Sequence, residues 1–306
     1  MLEYRLARAT AAATFVLLVI GGMVHATGSS LACPDWPLCY GQFFPAMEGG
    51  VLYEHGHRLV ALVVSVLTVA LAVTVWRRRR EATVRFGALA AVGLVLFQAS
   101  LGALTVVLQL PLVVSSGHLA TSMAFFSLLV WLTWRLAPVT PASDAPAAPG
   151  GTRALAGTAA VAVYVQIVLG ALVRHTGSGL ACGTSVVLCQ GTIWPLGGPA
   201  ELVTLHRFAG VVVAAIVLAA SARALRTGPA RARRAALAAP VIVVAQILLG
   251  AWTVWSMIAV PVVSLHLAGG AMLLADALLL LFLLGPQPSA QRAGRDRVSD
   301  FVPAAG

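Results

Sequence analysis

The chain has 306 residues, of which 59% are hydrophobic and only 10% charged, against roughly 25% charged in soluble domains. Its mean hydropathy of +0.92 excludes a soluble globular domain and points to a polytopic membrane protein. The net charge of +10 comes from arginine alone, and no folded soluble domain remains to present it to nucleic acid, so a nucleic-acid partner is not expected.

In chain order, eight segments are long and apolar enough to span a bilayer, which takes roughly 20 residues: 9–27, 57–76, 86–108, 112–134, 154–173, 203–222, 235–256 and 262–284. The last two share one nearly uncharged stretch, divided at Ser256–Pro261 because a Pro-containing break suits a short turn. No cleavable signal peptide is expected in residues 10–24. All arginines except Arg58, Arg174 and Arg207 fall in the N-terminal stretch, in alternate loops (Arg77–Arg80 with Arg85; Arg223–Arg234) or in the C-terminal tail. This positive-inside pattern predicts a bacterial cell membrane protein with both termini cytoplasmic and the loops near 28–53 and 174–202 outside. Each outer loop holds one close cysteine pair, Cys33/Cys39 and Cys182/Cys189. A disulfide within each loop is the economical reading for an oxidising compartment; zinc held with a nearby histidine, or unlinked thiols, are the alternatives.

The chain repeats itself. Residues 16–33 read VLLVIGGMVHATGSSLAC and residues 165–182 read VQIVLGALVRHTGSGLAC, an offset of 149 at which His57-Arg58 also meets His206-Arg207. At offset 148, Gln98 meets Gln246, Leu101-Gly102-Ala103 meets Leu249-Gly250-Ala251, and His118 meets His266. The fold expected is therefore an all-α membrane protein whose eight helices form two pseudo-symmetric, parallel four-helix bundles. Their limits are 1–136 and 153–285, with a Pro/Ala/Gly-rich cytoplasmic linker at 137–152 and a cytoplasmic tail at 286–306. Gln-x-x-Leu-Gly-Ala occurs a third time at Gln166–Ala171, where small residues let helices approach closely.

Four of the seven histidines obey the repeat. His57 and His206 open the second and sixth helices, and His118 and His266 lie about one to two turns into the fourth and eighth, all near the outer leaflet. Two imidazoles facing each other across a four-helix bundle are a standard ligand pair for haem iron. Zinc or copper is the competing ligand, but the set lacks the third and fourth donors usual for zinc. His25 and His175, at the ends of the first and fifth helices, read as interfacial histidines without a partner, and His55 as a residue at the start of its helix or facing solvent. Arg58 and Arg207 follow the ligand candidates directly and suit either haem propionates or snorkelling to headgroups.

The halves differ at one acid. Glu54 lies three residues before His57, on the same helical face, while its counterpart at offset 149 is Val203. The asymmetry suggests a working site in the first half and an electron-carrying site in the second; a helix N-terminal acid favoured by the dipole is the alternative. Asp276 is expected to hydrogen-bond a neighbouring helix rather than to act at the haem level.

Together these residues resemble the haem A synthase family, membrane enzymes of cytochrome oxidase assembly that convert haem O to haem A. The resemblance spans about residues 10–285. Its most specific part is the run from Thr27 to Gly41, TGSSLACPDWPLCYG, followed by Glu54-His55-Gly56-His57-Arg58, His118-Leu119-Ala120, Leu205-His206-Arg207 and Leu265-His266-Leu267. The resemblance implies an iron-dependent oxidoreductase that turns a porphyrin ring methyl into a formyl group through hydroxylated intermediates. By position it implies His57 and His118 as ligands of the substrate haem O, Glu54 beside them as the catalytic acid, and His206 and His266 as iron ligands of a haem b that relays electrons. The loop cysteines match the family's paired pattern, Cys33–Cys39 and Cys182–Cys189. One departure is His25, where Arg, as at Arg174, is usual. Haem O synthase, cytochrome oxidase assembly proteins and membrane lipid are the partners implied. A di-haem b electron carrier and a haem transporter or chaperone share the histidines, but neither gives a reason for an acid in one half alone.

Overall fold

The computed structural model describes residues 1–138 and 147–286; the middle of the expected linker and nearly all of the expected tail lie outside them. The described residues form eight long α-helices and no named strand: α1 (Leu2–Ala26), α2 (Gly49–Arg78), α3 (Ala82–Val107), α4 (Leu112–Leu136), α5 (Gly150–His175), α6 (Gly198–Thr227), α7 (Arg233–Trp255) and α8 (Val260–Leu284). Each is long and apolar enough to cross a membrane, where a helix satisfies its own backbone without water. Several spans extend beyond the apolar segments read from sequence: α2 begins at Gly49 and α6 at Gly198, well before His57 and His206, and arginine-bearing turns at their other ends remain helical.

Within 1–138, α1 packs on α2 and α4, and α3 closes the ring against both; α5 to α8 repeat the arrangement. The halves meet where α1 touches α8 and α4 touches α5 and α8. The core is made of tightly apposed small and branched residues such as Ala7, Ala88 and Ala91 in the first half and Ala224, Ala236 and Ala271 in the second. The outward faces carry exposed Val66, Phe86, Val113, Val241 and Leu248, an apolar exterior that suits lipid rather than water.

The repeat also reaches the turns. The α3–α4 connection carries Gln109 and Leu110 at positive φ, and the α7–α8 connection carries Met257 and Ile258 in the same conformation. The break expected at Ser256–Pro261 is this second turn. At the end opposite the long loops, Glu3 pairs with Arg79 at 2.5 Å and Glu81 pairs with Arg135. These ion pairs tie α1 to the end of α2, and the α2–α3 turn to α4.

Helix approach depends on a few glycines. A Cβ at Gly87 of α3 would stand 2.5 Å from the Trp131 ring of α4, with Leu132 at 3.5 Å behind it. Gly87→Ala must displace a bulky ring in a packed interface, an overpacking cost of about 1–3 kcal/mol. We expect a lower thermal midpoint for this variant in detergent; an unchanged midpoint would show that α3 and α4 are free to separate here.

Candidate functional site

At the end that carries the long loops, His118 and His266 stand in the second turns of α4 and α8, and His57 and His206 do not open α2 and α6 but stand in their third turns. Each ring lies against a glycine of the preceding helix. A Cβ would meet Cε1 of His57 at 3.1 Å from Gly21, of His118 at 3.5 Å from Gly102, of His206 at 3.0 Å from Gly170 and of His266 at 3.2 Å from Gly250. Four residues before three of these glycines, on the same face, a glutamine amide donates to the main-chain carbonyl of the same histidine. Gln98 reaches His118 at 2.9 Å, Gln166 reaches His206 at 2.8 Å and Gln246 reaches His266 at 2.9 Å. The small-residue motif seen in the sequence is thus a seat for an imidazole as well as a close-packing device. Nδ1 of His57, His118 and His266 is buried without a hydrogen-bond partner, while Nδ1 of His206 lies 3.1 Å from the Gln166 amide.

Above the first pair, the loop between α1 and α2 is closed by a Cys33–Cys39 disulfide, with a Cα–Cα distance of 4.9 Å. Glu54, 4% exposed, holds this loop from below. One carboxylate oxygen accepts the Cys33 N–H at 2.8 Å and the other pairs with Arg58 at 2.5 Å. Arg58 also donates to the Asp35 carbonyl at 2.7 Å and to the Leu38 carbonyl. Glu54 and Arg58 therefore clamp the disulfide loop onto α2, which the i,i+3 reading of Glu54 toward the iron level did not anticipate. The Gly41 N–H, together with that of Tyr40, holds the Asp35 carboxyl below its usual carboxylate range. His55 does not face solvent: it is buried, and its Nε2 lies 2.8 Å from the Phe43 carbonyl oxygen. Cys33, Cys39 and His55 lie close together, but the two sulfurs are bonded to each other, which leaves no thiolate pair for zinc.

The second half keeps the disulfide, Cys182–Cys189 with Cα–Cα 4.5 Å, and loses the clamp. Val203 stands where Glu54 would, in a buried apolar cluster that includes both cysteines. Both Nη atoms of Arg207 are buried without a hydrogen-bond partner, unlike those of Arg58. A buried guanidinium with free donors is a seat for an anion. Where the halves join, His25 and His175 have partners after all: their rings meet at a centroid distance of 4.6 Å, and Arg174 donates to the His25 carbonyl at 3.1 Å. Asp276 departs from expectation in the other direction, since its Oδ2 is buried with no hydrogen-bond partner.

The residues present fit haem. Each half offers two imidazoles from helices that do not adjoin in sequence, with rings seated on bare glycine and no carboxylate or thiolate among them. Two imidazole nitrogen donors per half suit ligation of an iron porphyrin better than a four-donor metal cage.

The chain matches the family described as cytochrome oxidase assembly protein over residues 4–51 and 48–278. It is 34% identical over 223 residues to the haem A synthase of Shouchella clausii, covering 70% of this chain and 73% of that one. It is 33% identical over 220 residues to the haem A synthase of Symbiobacterium thermophilum, covering 69% and 71%. A protohaem IX farnesyltransferase of Natronomonas pharaonis is 37% identical over 145 residues, 46% of this chain and 30% of that protein.

The seats make graded predictions. Gly170→Ala and Gly21→Ala put a methyl group about 3 Å from an imidazole carbon and should turn the ring, lowering haem retained on purification. Gly102→Ala, with room at 3.5 Å, should be nearly silent. Haem absorbance per protein checks this ranking, and equal retention in all three variants would remove the seats from the argument.

Proposed function

The chain belongs to the cytochrome oxidase assembly protein family and is, like its haem A synthase relatives, a membrane oxidoreductase of haem chemistry, and on that premise we propose how its two halves divide the work of converting haem O to haem A. Residues 1–136 form the substrate half, in which His57 and His118 flank the haem O iron. Residues 153–285 form the electron-relay half, in which His206 and His266 ligate haem b. Segment 137–152 joins them on the cytoplasmic side, and 286–306 is a cytoplasmic tail. The protein sits in the bacterial plasma membrane with both termini inside, as the arginine distribution supports. Haem O is the substrate, and haem O synthase, cytochrome oxidase assembly proteins and lipid are its partners.

A haem b bound in the second half supplies one-electron redox capacity. The chemistry left to the chain is orientation and proton handling. Oxidation of a ring methyl to formyl takes up one water oxygen and releases electrons and protons in two successive two-electron stages, through a hydroxymethyl group, so the electrons must leave to an external electron acceptor. Glu54 is the acid we assign to that step: it accepts a proton or stabilises positive charge developing at the substituent. The Cys33 N–H and Arg58 fix the orientation of its carboxylate, and the disulfide loop they hold shields the porphyrin edge from water. Arg207, with no acid beside it, takes a haem propionate in the second half, whereas both Nη atoms of Arg58 already bond Glu54 and the loop carbonyls.

The observation that carries this reading is the asymmetry at one repeated position. Glu54 and an engaged Arg58 stand in one half, Val203 and a bare Arg207 in the other. Two sites of equal purpose would not need it.

Two experiments test the division. Replacing His206 or His266 with leucine should abolish the b-type spectrum of the purified protein, while the same change at His57 or His118 should keep most of it and eliminate product. A b-type signal lost only with first-half changes would reverse the assignment. Glu54→Gln can still accept the Cys33 N–H but loses the ion pair. It should cut haem A formation by roughly two to four orders of magnitude with haem b content intact. Normal haem A yield with a lowered thermal midpoint would leave Glu54 as a loop clamp only.

A further inference from the structure

Of the four histidine seats, one is built differently. Gln98, Gln166 and Gln246 each donate an amide hydrogen to the main-chain carbonyl of the histidine opposite, four residues before the glycine under its ring. At the corresponding place in α1, four residues before Gly21, stands Leu17, which packs into the apolar core of the first half. His57 is therefore the one repeated histidine whose carbonyl has no glutamine to fix it.

We propose that Leu17 makes His57 the releasable ligand of the first half, so that substrate haem is admitted and product let go on the α2 side while His118 stays fixed. This rests on the reading that His57 and His118 hold the substrate haem.

The physical argument is local. A helix carbonyl has a second lone pair, and a glutamine amide on the adjacent helix can use it to fix the turn carrying the ligand. In a membrane bundle such an interhelical bond adds modest but real stability to one arrangement. Three of the ligand-bearing turns have that bond. The turn of His57 is held to α1 by apolar contact and ring packing on Gly21, and its polar ties run instead to the outer loop, through Glu54 to Cys33 and through Arg58 to Asp35 and Leu38. The polar ties of this end of α2 thus run to the disulfide loop rather than to the neighbouring helix. A resident redox group needs two fixed ligands, whereas a substrate that must enter and leave needs one ligand that lets go at low cost. The single glutamine-to-leucine difference falls on the half that also carries Glu54, an independent asymmetry pointing to the same side.

The test measures haem loss rather than turnover. Full-length protein loaded with haem O is mixed with excess apomyoglobin, and transfer is followed by absorbance. Wild type should lose haem in a fast phase that His57→Leu alters and a slow phase that it does not. Leu17→Gln, which restores the repeated pattern with a side chain of similar size, should slow the fast phase about two- to tenfold, the weight of one internal hydrogen bond, and leave the slow phase alone. Gln166→Leu should quicken the slow phase by a similar factor, and Gln98→Leu should quicken the fast phase further, so the idea does not depend on one variant folding. A fast phase that depends on His57 but is indifferent to both Leu17→Gln and Gln98→Leu would overturn the inference and spare the functional reading. Loss in one phase that His57→Leu leaves unchanged would overturn both.

Discussion

An imidazole can face the interior of a tightly packed helical bundle only if the helix across from it has no side chain in the way. That steric condition organises this protein. Four glycines, Gly21, Gly102, Gly170 and Gly250, stand opposite four histidines at 3.0–3.5 Å from where a Cβ would be. Because each glycine belongs to the helix before the histidine's own, each half must place its helices in consecutive contact, α1 against α2 and α3 against α4, and likewise α5 to α8. Bundle order, helix spacing and the depth of the imidazoles all follow from seating a ring on bare backbone, and in three of the four seats a glutamine one turn away adds polar registration between the same two helices.

Duplication gives the two halves this common frame, and a few positions give them different chemistry. A buried carboxylate needs partners that offset its desolvation, and Glu54 has two, a main-chain N–H and a guanidinium. The same pair of residues carries the first outer loop, so any change in the acid is felt by the disulfide segment above it. In the second half the acid is gone and the arginine remains. A buried, unpaired guanidinium is costly, and the haem propionate proposed for Arg207 would offset that cost where Val203 cannot. The junction between halves is polar too: His25, His175 and Arg174 meet at the outer end, so the bundles are joined by directional contacts as well as by apolar packing.

Several features were legible before any coordinates. Hydropathy and length determine the eight spans, since lipid leaves an apolar chain no alternative to internally bonded helices. The offsets of 148 and 149 determine that the chain folds as two similar units and pick out His57, His118, His206 and His266 from the seven histidines. The loop cysteines and the lone Glu54 are equally visible, because identity and spacing are one-dimensional properties.

Contacts between residues distant in the chain are not, and these decided the rest. A helical-face argument put Glu54 toward the iron level, but the loop from Cys33 to Cys39 folds back over α2, where the Cys33 N–H takes one carboxylate oxygen and Arg58 of the same helix takes the other. Arg58 and Arg207 both directly follow a repeated histidine and are opposite in state, because only one has an acid a turn away and loop carbonyls above it. His25 and His175 lie 150 residues apart, and only the packing of α1 and α4 on the second half brings their rings together. Apolar patterning and repetition are written along the chain, so the sequence alone determines which helices form and which histidines correspond. Hydrogen bonding and charge pairing depend on what arrives from elsewhere in the chain, so the tertiary structure alone decides which polar groups are engaged and which remain free to meet a ligand.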